Sequence, residues 1–153
     1  MQTDQLILEA ATGARRLSRQ ELQEVLEHVA QAGFEPTPDR RGRTAAEKHF
    51  QKHVVRLQEW PPGTSQDDYL SSARRVLLSP QSSVFTSRYK GSWQLAAIGS
   101  SGDDRGPQGS DWIVVEYRVG LSYWVTVFQP IDVYRDVLQH PDREMVRWLR
   151  RRL

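Results

Sequence analysis

Two imidazoles, His49 and His53, stand four residues apart in the run E-K-H-F-Q-K-H-V-V-R-L, with Lys52 and Arg56 beside them. On a helix that spacing gathers all four on one edge. Imidazoles flanked by cations suit cleavage of RNA through its own 2′-hydroxyl. A base takes the 2′-OH proton, the oxygen attacks the adjacent phosphorus in line, and an acid protonates the leaving 5′-oxygen. Histidine is the side chain suited to both proton transfers near neutrality, and fixed cations or hydroxyls stabilise the developing phosphorane charge. The same i, i+4 spacing occurs in helical zinc sites, but no third ligand is evident. Phe50 and Gln51 follow His49 where a metalloprotease would carry its glutamate, so no metal and no cofactor is expected.

These residues need a scaffold, and the sequence supplies one. Thr44 with Glu47 forms a capping box that starts a helix with Phe50, Val54 and Leu57 as its buried stripe, and Pro61, Pro62 and Gly63 end it. Ser65 with Asp68 caps a second helix that turns Tyr69, Ala73, Val76 and Leu77 inward, limited by Pro80. Upstream, Leu6, Ile7 and Ala10 mark a short helix broken by Gly13. Ser18 with Glu21 caps another, whose stripe is Leu22, Val25, Leu26 and Val29 and whose stop is Gly33. His28 lies beside that stripe with no catalytic neighbour. Residues 34–43, with Pro36, Pro38, Gly42 and three arginines, have the composition of a linker, which divides the chain into a helical segment 1–36 and a domain 37–153.

Beyond Pro80 the period changes to two. Val84 to Ser87 and Tyr89 to Ile98 read as strands joined near Arg88 to Gly91, Trp112 to Val119 as a third, and Ser122 to Gln129 as a fourth paired back through Gly120. On the fourth, Tyr123, Val125 and Val127 are expected on one face and Trp124, Thr126 and Phe128 on the other. The Gly- and Ser-rich loop 100–110 is expected to be mobile. Met145, Trp148 and Leu149 suggest a final amphipathic helix with Arg143, Arg147, Arg150, Arg151 and Arg152 opposite. The fold class is therefore α+β, with N-terminal helices, a small twisted antiparallel sheet of about four strands, and a C-terminal helix.

A chain of 153 residues with 38% apolar residues and five Trp can fill one core. The absence of cysteine excludes disulfides, thiol catalysis and thiolate metal sites. No Gly-rich phosphate loop supports a P-loop nucleotide hydrolase. There is no cationic leader followed by an apolar run, hence no signal peptide, and no stretch approaches a membrane span. The formal charge of +2 hides a net −3 over residues 1–36 and +5 over the rest, and all but Lys48, Lys52 and Lys90 of the 21 cations are Arg. Arginine favours bidentate contact with phosphate and stacking on bases.

The run from Glu47 to Leu57, followed after a turn by D-D-Y-L-S-S-A-R-R-V-L, resembles the helical part of toxin nucleases of the barnase, EndoU, colicin and RelE-like ribonuclease superfamily. T-V-F-Q-P at Thr126 to Pro130 is similar to that group's closing strand. The resemblance covers about residues 44–130. It implies a bacterial toxin endoribonuclease, metal-independent, leaving a 2′,3′-cyclic phosphate and cutting tRNA or another structured RNA. His53 would be the leading catalytic group, with His49 as the second imidazole, Lys52 beside them, Thr126 placing its hydroxyl on the phosphate, and Tyr69 at the matching position of the second helix. Lys90, Arg88, Arg56 and Arg43 would contact RNA. The resemblance further implies a monomeric effector of a polymorphic or contact-dependent growth inhibition toxin. Such an effector is delivered as part of a larger protein into a target-cell cytoplasm and blocked by a cognate immunity protein. Two other readings keep the fold: a non-catalytic basic RNA-binding module and a phage-associated structural module. For the nuclease, the His53 imidazole and the Thr126 hydroxyl must open onto one groove.

Overall fold

The computed structural model describes residues 2–153. Four helices precede a five-stranded sheet. Helices α1 (Gln2–Thr12), α2 (Arg19–Ala32), α3 (Ala45–Phe50) and α4 (Gln66–Leu78) lead into β1 (Ser83–Tyr89), β2 (Ser92–Ser100), β3 (Trp112–Arg118), β4 (Tyr123–Phe128) and β5 (Arg143–Arg150). The architecture is the α+β class read from the sequence. The caps fall where the residues place them: Ser18 and Glu21 close a full capping box on α2, Thr44 accepts from the Glu47 amide, and Ser65 accepts from the Asp68 amide. None of the described helices is long and apolar enough to cross a membrane.

Every strand pairing is antiparallel, in the order β4-β3-β2-β1-β5. One face carries Val84, Ala97, Val115 and Val127 in register and packs on the helices. The other carries Phe85, Ala96, Ile98 and Val114, and its upper half is covered by a wide turn at Tyr134–Leu138 through Val133 and Val137. The lower half of that second face is polar and open.

Helices α1 and α2 belong to the main core. Ile7, Val25 and Val29 are almost fully buried in the same cluster as Trp124 and Val127. The Trp124 indole donates to the Val29 carbonyl at 2.6 Å, and Phe34 bridges alongside Trp124. Residues 2–36 therefore contribute one wall of the interior, whatever else they do.

Three expectations are corrected. First, the C-terminal segment is a fifth strand, and the sheet has five rather than about four. A 3.6-residue pattern is available in its sequence, but both its ends are held extended. Arg143 donates to the Val137 carbonyl and to Ser87, while Arg150 and Arg152 donate to the Ser79, Ser82 and Pro80 carbonyls beyond α4. Between them Trp148 packs edge-on against Phe85, and β5 satisfies the otherwise unpaired edge of β1. Met145 takes a left-handed φ of 56° at an irregular stretch of that pairing.

Second, β4 is bulged. Tyr117 pairs Trp124 while Glu116 pairs Thr126, so Val125 is the extra residue and Trp124 shares a face with Val127. Strict alternation from the sequence therefore fails across Val125.

Third, the loop at 100–110 is tied down. Gly106 and Gln108 donate to the Glu59 and Gln58 carbonyls at 2.8 and 2.9 Å, and Ser101 donates to the Ser110 carbonyl. A Cβ on Gly106 would stand 2.3 Å from the Trp60 carbonyl oxygen. Glycine is there because backbone meets backbone.

Candidate functional site

The helix carrying His49 and His53 widens after Phe50 into a π-helical stretch, Gln51–Arg56, closed by the Leu57 amide on the Lys52 carbonyl at 2.8 Å. Such insertions shift the faces of a helix. As a result His53 turns inward while Leu57, expected in the buried stripe, is 40% exposed. Gln58 then takes a left-handed φ of 55° and folds the chain back, so that Glu59 reaches the ring it has just passed. His53 Nδ1 lies 2.9 Å from Glu59 Oε2, and Glu59 Oε1 accepts the Gln129 amide at 2.7 Å. His53 and Glu59 are both buried. His49 stacks between Phe34 and His53, with ring centroids 4.7 and 5.8 Å away. Burial, reinforced by the charges of His53, Lys52 and Lys48, holds its pKa down at about 4. Its Nδ1 is buried without a hydrogen-bond partner.

The expected constellation is divided. Lys52 and Arg56 point to solvent beside the buried His53. Thr126 stands in register with Glu116 and Ala96, on the sheet face away from the helices. The groove that Thr126 lines does not include His53, whose ring lies instead 6.2 Å from that of Phe128 at the β4 edge of the sheet. Tyr69 is fully buried and its phenol donates to the Val127 carbonyl at 2.6 Å. Burial, with Glu59 nearby, pushes its pKa well up, so it serves the core and is not placed for proton transfer. Arg88 lies over Trp93 on the helix-facing side of the sheet, and Arg43 is exposed beside the Asp39 turn. Among the described residues no three His, Asp or Glu converge as a metal site.

Two of the named residues, Thr126 and Lys90, do come together. They line a groove of about 360 Å³ on the open half of the second face with Tyr89, Ser92, Gln94, Glu116, Arg118 and Val125. At its floor Glu116, 6% exposed, is bound by Arg143, whose other guanidinium donors go to Ser87 and the Val137 carbonyl. Arg143 also lies over the Tyr89 ring, 4.9 Å from its centroid, and His140 meets Tyr89 edge-on at 5.3 Å. His140 Nδ1 accepts the Asp142 amide at 3.1 Å, which leaves Nε2 as the ring nitrogen to carry the proton in the neutral form. Lys90 sits on the β1–β2 turn, where its φ of 49° is paired with Gly91 at 81° as a two-residue hairpin requires. Arg118 is exposed at the end of β3.

With Glu116 paired to Arg143, Arg118 leaves the groove mouth positive, and Lys90 adds a cation that Asp142, 3.9 Å away, offsets in part. The groove combines cations, a carboxylate and a hydroxyl in one concavity, with the His140 imidazole outside its lining against Tyr89. Glu116 was legible as the one carboxylate inside the apolar strand W-I-V-V-E-Y-R, where it requires a partner. Arg143 was hidden because its segment read as a helix. No family model, curated protein or solved structure matches the chain.

Proposed function

We propose that the chain is an endoribonuclease whose site is the groove on the open sheet face, not the helix edge carrying His49 and His53. The observation that carries this reading is the buried Glu116–Arg143 pair at the floor of a groove with Lys90 and Arg118 at its mouth. Lys90 and Arg118 draw in a phosphodiester and oppose charge developing on its oxygens. Glu116, oriented by Arg143, accepts the proton of the attacking 2′-hydroxyl. The Thr126 hydroxyl donates to a phosphate oxygen, and His140, reached past Tyr89, supplies the proton to the leaving 5′-oxygen. Effective acid–base groups of this kind contribute about 10²–10⁴-fold each. The toxin setting, a tRNA substrate and a blocking partner protein are proposed on the motif resemblance alone.

A second reading has its own support. The Glu116 carboxylate is bound by Arg143 and almost sealed, which also suits a rigid floor under a groove that only binds RNA.

The test is incubation with total tRNA in EDTA, comparing the native chain with Glu116→Gln, Thr126→Val and Lys90→Ala, each checked for native circular dichroism. Cleavage by the native chain with 2′,3′-cyclic ends, lost in Glu116→Gln and slowed at least tenfold in the other two, supports the enzyme. RNA binding without cleavage supports the module, and absence of both ends the nucleic-acid reading.

A further inference from the structure

Gln94 stands on β2 in register with Ser87 and Arg118, on the open face, and lines the groove. It is 5% exposed, yet its Oε1 is buried with no hydrogen-bond partner. Arg143 gives guanidinium hydrogens to Ser87, Glu116 and the Val137 carbonyl, and none of these bonds goes to Gln94. Folded proteins rarely leave a buried carbonyl unpaired, because desolvating it costs stability that nothing returns. This orphan acceptor lies beneath a groove that Gln94 itself lines, and a turn of the amide presents it to a ligand donor.

We infer that Gln94 accepts a hydrogen bond from a ribose 2′-hydroxyl and makes the groove select ribose over deoxyribose in binding, before any bond is cut. This rests on the reading of the groove as an RNA site. The cations Lys90 and Arg118 fix a phosphate, so the donor that meets Gln94 is one carried close to phosphate. On a nucleic-acid strand that donor is the 2′-hydroxyl, the group by which proteins tell RNA from DNA. Gln94 and Glu116 lie diagonally across β2 and β3 on one face, two residues apart in register. Gln94 therefore meets the sugar next to the one facing Glu116. DNA leaves the Gln94 carbonyl unpaired, and a site with a buried polar group discriminates strongly against an analogue that cannot satisfy it.

The experiment compares fluorescence anisotropy of the native chain with two oligonucleotides of one sequence, 2′-amino and 2′-fluoro. Neither has the hydroxyl needed for transesterification, and only the first keeps a donor at the 2′ position. The native chain is expected to bind the 2′-amino strand about five- to tenfold more tightly, and Gln94→Met to bind the two alike. Because that substitution removes an unpaired group, its melting temperature should equal or exceed the native value. Equal native affinity for the two strands overturns the inference and leaves the RNA reading standing. A Gln94→Met variant that melts well below the native chain, or does not fold, also overturns it, since the amide is then held by the protein itself. Failure of the native chain to bind either strand and unmodified RNA overturns both readings.

Discussion

The His53 imidazole and the Glu59 carboxylate, six residues apart in sequence, face each other at 2.9 Å in the interior. The pair joins three separate pieces of chain. Glu59 Oε1 accepts the Gln129 amide just after β4, and the Glu59 carbonyl accepts the Gly106 amide of the long loop. Removing the carboxylate leaves a buried imidazole and a buried amide without partners. Breaking a buried pair in this way costs about 3–5 kcal/mol. Glu59→Ala should lower the urea midpoint accordingly with an unchanged m-value, whereas Glu59→Gln keeps an acceptor for Gln129 and should cost about half as much. Near-equal midpoints for native and Glu59→Ala would show that the pair contributes nothing net.

His49 gives the fold a pH dependence whose sign is fixed. Its folded pKa is about 4, below the ordinary histidine value of about 6.5. Between those values the unfolded chain binds the proton more readily, so stability falls as pH falls from about 6.5 to about 4 and this contribution is flat outside that window. The ring is partly exposed, so solvent screening limits the loss to the order of 1–2 kcal/mol. Phenylalanine can stack between Phe34 and His53 without titrating. The difference in unfolding free energy between the native chain and His49→Phe should therefore change across pH 6.5 to 4 and be constant above it. A parallel pair of curves across that window would contradict the assignment.

The helices, their caps and the sheet's inward residues were legible because each rests on a local rule: a hydroxyl before a glutamate, a 3.6-residue stripe, a turn glycine. Tyr69, Val76, Leu95 and Val127 are buried as their spacing requires. What was not legible depends on distant backbone. The π-helical stretch that turns His53 inward, the bulge at Val125 and the extended state of Arg143–Arg150 are each set by partners far along the chain. The groove with Glu116 and Arg143 at its floor was not legible for the same reason. His49 and His53 are conspicuous in sequence because they are close together, while Glu116 and Arg143 lie 27 residues apart and meet only once β5 joins the sheet.

The first helix is tied to the far end of the sheet. Asp4 accepts from the Tyr117 phenol at 2.5 Å, the Gly120 amide at 2.9 Å and the Ser122 hydroxyl at 2.6 Å. That carboxylate organises the β3–β4 turn, and burial with its hydrogen bond to Asp4 raises the pKa of Tyr117. Asp4→Ala should destabilise by about 2–4 kcal/mol, the cost of leaving a buried phenol and an amide unpaired. Deletion of residues 1–36 strips Ile7, Val25, Val29 and Phe34 from the core and uncovers Trp124, so the remainder should lose near-ultraviolet dichroism and bind a hydrophobic dye. A truncated chain with a native melting curve would mean that the helices are an appendage.

The cations offer the sharpest separation between the two faces of the sheet. Lys90 and Arg118 stand at the groove mouth, whereas Arg88 lies over Trp93 on the opposite side and Arg43 projects from the Asp39 turn. Each lysine or arginine that neutralises a phosphate steepens the dependence of log affinity on log salt by about 1 for duplex and about 0.7 for single strands. Lys90→Ala and Arg118→Ala should therefore each flatten the slope for single-stranded RNA by about that amount and weaken binding across all sequences alike. Arg88→Ala and Arg43→Ala should leave the slope unchanged, because a strand seated in the groove does not reach them. All four positions are exposed, so none of these substitutions should shift the melting temperature beyond the small changes typical of surface sites. The reverse pattern, with the slope carried by Arg88 and Arg43, would place bound RNA on the helical side and move the site off the groove.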